Sequence, residues 1–232
     1  MLLYFLNNRG DMDFFDVIYM VLAYGVILLL SLPVHELAHG LVAHWCGDDT
    51  AKWHGRLSLN PFRHLDLWGT LMILTVGIGY AKPVPVNPRN FRKYKRDTIL
   101  VSLAGPLSNF IMAYLAVFIY RLCIYCGVYA YPMVGEALWM VMSVIASVNV
   151  SLMVFNLLPI PPLDGSRLWT TLLPGRWAYT LERYSRYITM GLFVLLMTNV
   201  LDTPLFMMQD AVLTAIDWLT GLPFMLLDLI IK

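Results

Sequence analysis

The residues of this chain best suited to chemistry are two histidines four positions apart with a carboxylate beside the first, His35-Glu36-Leu37-Ala38-His39. On a helix, four residues advance the side chain only about 40° around the axis, so both rings can address one ion from one face. Glu36 projects from the shoulder of that face and can reach a water without being a ligand, the geometry of metal-assisted hydrolysis. Zinc in such a setting lowers the pKa of its water to about 7 and a carboxylate takes the proton. The setting here is apolar. Between Asp16 and Asp48 the only acidic, lysine or arginine side chain is Glu36, and two imidazoles and a carboxylate in lipid need partners such as a cation.

A catalytic zinc takes three protein ligands and keeps one position for water. The candidate third ligand is Asp164, in Asn156-Leu-Leu-Pro159-Ile-Pro161-Pro162-Leu-Asp164-Gly165. The three prolines end the preceding helix and leave carbonyls without intrahelical donors, which is tolerated at membrane depth only inside protein or beside a wet cavity. The alternative is a plain helix-ending loop in which Asp164 caps the next helix. Asn109 and Asn149 are polar groups on spanning segments, equally suited to lining a site and to interhelical bonding. Ser143, Ser147 and Ser151 recur every four residues, a stripe expected to serve close helix packing. His44 reads as interfacial and His54 and His64 as ordinary loop residues, with His64 and Asp66 suited to ordering the loop beneath the site. Cys123-x-x-Cys126 is read as packing rather than as a redox or metal site.

These groups must be positioned by membrane helices. Of the 232 residues, 59% are hydrophobic and 13% charged, with mean hydropathy +0.67, which excludes an ordinary soluble domain. The charge-free runs Val17 to Val34, Ile99 to Tyr120, Ala137 to Leu163 and Tyr187 to Leu201 predict four spans, each near the roughly 20 residues that a crossing requires. Trp68 to Tyr80 is short and glycine-containing, so it reads as re-entrant. In Thr203 to Ile231, Asp210, Asp217 and Asp228 share one helical face and Pro223 is expected to interrupt the helix; this is a fifth span or an interfacial amphipathic segment. Pro33, one turn before Glu36, predicts a kink. The fold class is thus an all-α polytopic membrane protein with about 4–6 transmembrane helices and a short re-entrant or β-hairpin element near the site, in one domain over 1–232.

Of sixteen Lys and Arg, nine lie in 47–98 and four in 159–186. By the positive-inside rule these two loops are cytoplasmic and the N-terminus is outside. His39 lies eight residues before Gly47, about 12 Å at helical rise, which places the site in the cytoplasmic half of the bilayer. The net charge of +1 carries no sign of a nucleic-acid partner. The first apolar run lacks a basic n-region and flows into the histidine motif, so no cleaved signal peptide is expected.

The HELAH sequence is followed in order by Gly55-Arg-Leu-Ser-Leu-Asn60-Pro61-Phe-Arg-His64-Leu-Asp66, Gly79-Tyr-Ala-Lys82-Pro83-Val-Pro85-Val-Asn87-Pro88, Ala104-Gly105-Pro106-Leu-Ser-Asn109 and the Asn156 to Gly165 stretch. Across about 31–170 this resembles the site-2 protease family of intramembrane zinc metalloproteases, in a compact form without a PDZ module. The resemblance implies one zinc per chain on His35, His39 and Asp164, Glu36 as the base, and Asn156 holding substrate or the oxyanion. It also implies transmembrane protein substrates and a bacterial cell membrane. Cleaving a helix requires unwinding it against an exposed edge. In Lys82-Pro83-Val84-Pro85-Val86 the prolines share one strand edge, leaving the N–H groups of Lys82, Val84 and Val86 on the other as candidate substrate-binding groups. Two further readings are a zinc-stabilised adaptor that binds helices without cutting them and a metal transporter. Neither gives Glu36 a use.

Overall fold

A computed structural model of the chain describes residues 14–76, 80–198 and 200–231. The first helical column is continuous through α1 (Phe14–Val26), a π-turn (Ile27–Ser31) and α2 (Leu32–Trp45). The π-turn stands where Pro33 demands it: proline donates no hydrogen bond and its ring crowds the carbonyl four residues back, and a wider turn relieves both. The Leu32 N–H accordingly reaches Ile27 O. The expected disturbance at Pro33 thus takes the form of a widened turn.

Past α2 the chain forms a short helix, α3 (Thr50–Trp53), and then α4 (Leu67–Val76). The ten residues of α4 span about 15 Å. The backbone then returns to its start, because a Cβ on Gly69 would lie 1.9 Å from Tyr80 O. Gly69 and Tyr80 thus lie against each other, at the two ends of the segment expected to be re-entrant. Gly77 to Gly79 lie outside the described residues. Lys82 to Val86 forms no strand ladder among the described residues, so the hairpin part of the expectation stays unsupported.

The long helix α5 (Tyr94–Tyr125) starts where the Asp97 carboxylate accepts the Lys93 N–H at 2.8 Å and ends before Gly127, whose φ of 90° suits a residue without Cβ. Next, α6 (Pro132–Asn156) begins with proline in its first turn, where the missing N–H costs nothing, and ends before the proline loop. Three shorter helices follow, α7 (Asp164–Leu172), α8 (Gly175–Arg183) and α9 (Ser185–Met197), then α10 (Asp202–Ile231).

Among the described residues, three helical stretches are long and apolar enough to cross a membrane: Val17–Trp45, Tyr94–Tyr125 and Pro132–Asn156. The fourth expected span is shorter in the structure, since α9 has 13 residues. The helix expected to break at Pro223 does not: α10 runs 30 residues through it. It belongs to the bundle, where Ile216 joins Ala113, Val150 and Val154 in a buried core with Phe110, Val212 and Leu213 around it. Asp217 of its acidic face meets Arg121 at 2.5 Å. Cys123 and Cys126 are free thiols. Of the serine stripe, Ser147 and Ser151 line a mainly apolar cavity of about 410 Å³ with Ile27, Ile73, Leu196 and Gln209 of neighbouring elements.

Candidate active site

Helix α2 carries His35, Glu36 and His39, α5 lies across it, and the N-terminus of α7 brings in Asp164. The helical spacing expected from sequence holds, and both rings converge on one point. His35 Nε2, His39 Nε2 and Asp164 Oδ2 are mutually 3.1 Å apart, with the imidazoles edge-on at 79°. A tetrahedral ion with bonds of about 2.0–2.1 Å requires donor separations of about 3.3–3.4 Å, so the triangle is of the right size. Among the described residues it is the cluster of metal-type donors. Asp164 opens α7 without a side-chain cap bond; of its two expected roles, the structure places it in the cluster.

Two contacts orient the rings. His39 Nδ1 donates to Val101 O at 2.7 Å, which leaves the Nε2 lone pair free for an ion. His35 Nδ1 faces the Asn109 amide at 3.2 Å, and Asn109, fully buried, has an Oδ1 without a partner. Turning that amide over gives Nδ1–H a carbonyl acceptor and selects the same tautomer as in His39. The Asn109 contact runs from α5 to α2 and ends on a ring of the cluster, so it has both features expected from the sequence, an interhelical bond and a place beside the site.

Gly105 supplies the space. A Cβ there would lie 2.4 Å from His39 Nε2 and 2.5 Å from His35 Cε1. The hollow between α5 and the rings is what a methyl group would fill, and it abuts the donors themselves. The residues fit a metal ion on this ground as well as on donor type.

Asp164 is held by backbone approach. Gly165 sits so close to the end of α6 that a Cβ would meet Leu158 O at 2.3 Å and Leu157 O at 2.4 Å. Thr189 of α9 donates to Pro161 O at 2.7 Å, and Ser166 Oγ to Leu163 O at 2.7 Å. The Asp164 Oδ2 is thereby kept 3.1 Å from Nε2 of both His35 and His39.

Glu36 lies outside the triangle. Its Oε2 accepts the Val84 N–H at 2.8 Å. Gly40, one turn on along the same face, leaves room for this: a Cβ there would meet Leu57 Cδ2 at 2.7 Å and Val84 Cγ1 at 3.3 Å. Of the other expected substrate groups, Lys82 uses its N–H on His64 O at 2.7 Å and exposes its side chain. Asn156 donates to Leu152 O of its own helix at 2.9 Å. Lys82, Val86 and Asn156 are thus not joined to the triangle by side-chain contacts among the described residues.

The segment is anchored at its far end by Asp48. This buried carboxylate accepts from Thr50 N and Oγ, Asn87 N at 2.6 Å and Asn90 Nδ2 at 2.7 Å. Burial would raise it, but these hydrogen bonds together lower it below the usual carboxylate range. His64 is a loop organiser, fully buried with its ring on Ser58 O at 2.7 Å. Sequence reading missed Gly40, Gly105 and Gly165 as site-forming residues. Their only local signal is position: Gly105 and Gly165 lie within the motifs that carry the resemblance, and Gly40 directly follows His39.

A helical membrane bundle that closes two imidazoles and a carboxylate on one point, with a further carboxylate alongside, has the build of a metal-dependent hydrolase. Comparison with known proteins gives the family. The model of peptidase family M50 matches residues 23–134 and 123–198, and the chain belongs to that family. It is 46% identical over 149 residues to the Bacillus subtilis protein named "Putative zinc metalloprotease YwhC", covering 64% of this chain and 68% of that one. The Rip2 proteins of Mycolicibacterium smegmatis and Mycobacterium tuberculosis, named in the same way, are 30% and 33% identical over 142 residues. That alignment covers 59% of this chain and about half, 52%, of theirs. No solved structure matches.

Proposed function

We propose that this chain is an intramembrane zinc metalloendopeptidase that hydrolyses peptide bonds within or near transmembrane segments of membrane proteins. The observation that carries this reading is the His35, His39, Asp164 triangle on a membrane-spanning column, with Glu36 next to it and free of the triangle. A site built only to bind an ion, as an adaptor or transporter would require, has no use for that carboxylate.

His35, His39 and Asp164 would hold the ion, and Val101 and Asn109 would keep the two rings in the ligating tautomer. When bound, zinc supplies the Lewis acidity that makes water a nucleophile near neutral pH. Glu36 then accepts the water's proton and returns it to the leaving amine. The substrate enters as unwound chain beside Lys82 to Val86, because a helix shields its carbonyls and an extended strand presents them. The Val84 N–H is engaged with Glu36, so substrate pairing along this segment is expected beside that bond, toward Val86, with Glu36 kept in place. Asn156, at the mouth of the proline loop, is assigned to holding substrate or the oxyanion. The basic loops support a site opening toward the cytoplasm of a bacterial cell membrane.

Glu36→Gln tests the proposal. The purified variant should keep its zinc and lose cleavage of a co-expressed single-span substrate, which then accumulates uncut. Cleavage at the parental rate would remove Glu36 as the base.

A further inference from the structure

Arg56 is a cation in the wrong place for a surface loop residue. It is 8% exposed, and among the described residues no ion pair involves it. A buried, unpaired guanidinium is costly unless its donors are used. Two of its nitrogens are: Nη1 donates to Arg63 O, and Nη2 to Lys82 O and, at 3.3 Å, to Pro83 O. Only Nε lacks a partner.

The third carbonyl is the informative one. Pro83 C=O and Val84 N–H belong to one peptide unit, and in a trans peptide they point in opposite directions. The Arg56 guanidinium therefore holds one end of this peptide and the Glu36 carboxylate the other, at 2.8 Å. Positive charge, aligned amide dipole and negative charge lie in series. The grip is reinforced one residue earlier, where Lys82 C=O is held by Arg56 and Lys82 N–H donates to His64 O. With φ of Pro83 fixed by its ring, little freedom is left to the Val84 N–H.

We propose that Arg56 is a positioning residue for the catalytic base, acting on Glu36 through the Pro83–Val84 peptide. The inference rests on the proteolytic role of Glu36 proposed above and adds a residue more than one helix away from it. A planar fork that takes carbonyls from two segments at once cannot be replaced by the single ammonium of lysine. Removal of the fork leaves the triangle intact, since Arg56 contacts none of its members. It frees the peptide to turn and the carboxylate to leave its bearing on the water.

The test uses purified, zinc-loaded full-length protein and the variants Arg56→Ala and Arg56→Lys. Amide exchange is read over Lys82 to Val86, which holds only three exchangeable N–H groups because two of its residues are proline. The Val84 amide should exchange at least ten-fold faster in both variants, with α5 and α6 unchanged and zinc content at the parental value. In cleavage of a single-span substrate, kcat should fall on the order of 100-fold in Arg56→Ala and about 10-fold in Arg56→Lys, as expected for a misplaced general base, while KM moves less than about three-fold. Guanidinium at millimolar concentration should restore part of the Arg56→Ala rate, and ammonium should not.

Parental exchange at Val84, loss of zinc in Arg56→Lys, or an unchanged kcat overturns the inference. If Arg56→Ala does not fold, Arg56→Lys carries the same readouts. Exchange needs no substrate, so a parent that fails to cleave any membrane protein would refute the proposed function while leaving the Arg56 grip on Val84 separately measured.

Discussion

Gly105 and His39 are in a relationship that only glycine allows: a Cβ on the former would lie 2.4 Å from Nε2 of the latter. Alanine is the better helix former by about 1 kcal/mol, so Gly105→Ala should help α5 and harm the site. Zinc affinity is expected to fall at least ten-fold, measured by chelator competition, with helix content retained by circular dichroism. Gly191→Ala, where no atom lies within 4 Å, should leave zinc affinity unchanged.

Asn109 touches His35 from the side opposite the triangle. Partners of this kind are worth about 10–100-fold in metal affinity, so Asn109→Leu should release zinc at correspondingly lower chelator concentration. Asn149 is as deeply buried and, among the described residues, donates to Ile145 O of its own helix. Asn149→Leu should affect thermal stability before zinc affinity.

Gly165→Ala drives a methyl group into the carbonyls of Leu157 and Leu158. Backbone cannot yield there as a side chain tip would, so α7 must shift and take Asp164 with it. The expected result is loss of zinc comparable with Asp164→Ala, read by elemental analysis of purified protein. Thr189→Val removes one bond to Pro161 O and should cost about 1 kcal/mol or less.

Asp48 couples the anchoring of the segment after Lys82 to acid. Its carboxyl is held below the ordinary value, so its contribution is complete above that value, near pH 4, and is lost as pH falls through the lowered one. The protection factor of the Asn87 amide, the exchange rate of the free peptide divided by its own at the same pH, should hold from pH 7 to about 4 and fall below it. In Asp48→Asn the anchoring should already be weakened at pH 7, and the acid-dependent fall should disappear.

Much of the site is legible in sequence because a helix converts spacing directly into direction: four residues put His35 and His39 on one face, and the prolines before Asp164 announce a loop that ends beside them. Glu36 is legible for the same reason. What sequence hides is the approach of one backbone to another. Gly40, Gly105 and Gly165 matter for what passes within 3 Å of them, and no periodicity records that distance. The prolines of Lys82 to Val86 show in sequence which residues can donate an N–H, but not that His64 O and Glu36 already take two of them. Pro223 misleads because a proline in a long packed helix is tolerated when tertiary contacts, here around Ile216, outweigh its lost bond.

The π-turn at Ile27–Ser31 has a consequence for the angular phase of the first column. One residue beyond the α repeat rotates everything after it by about 100° relative to an unbroken helix. Which side α1 turns toward lipid is thereby uncoupled from which side α2 turns toward α5. A single-residue deletion within Ile27–Ser31 would restore the regular pitch and swing either α1 or both imidazoles out of alignment, although no residue that touches the triangle had been altered.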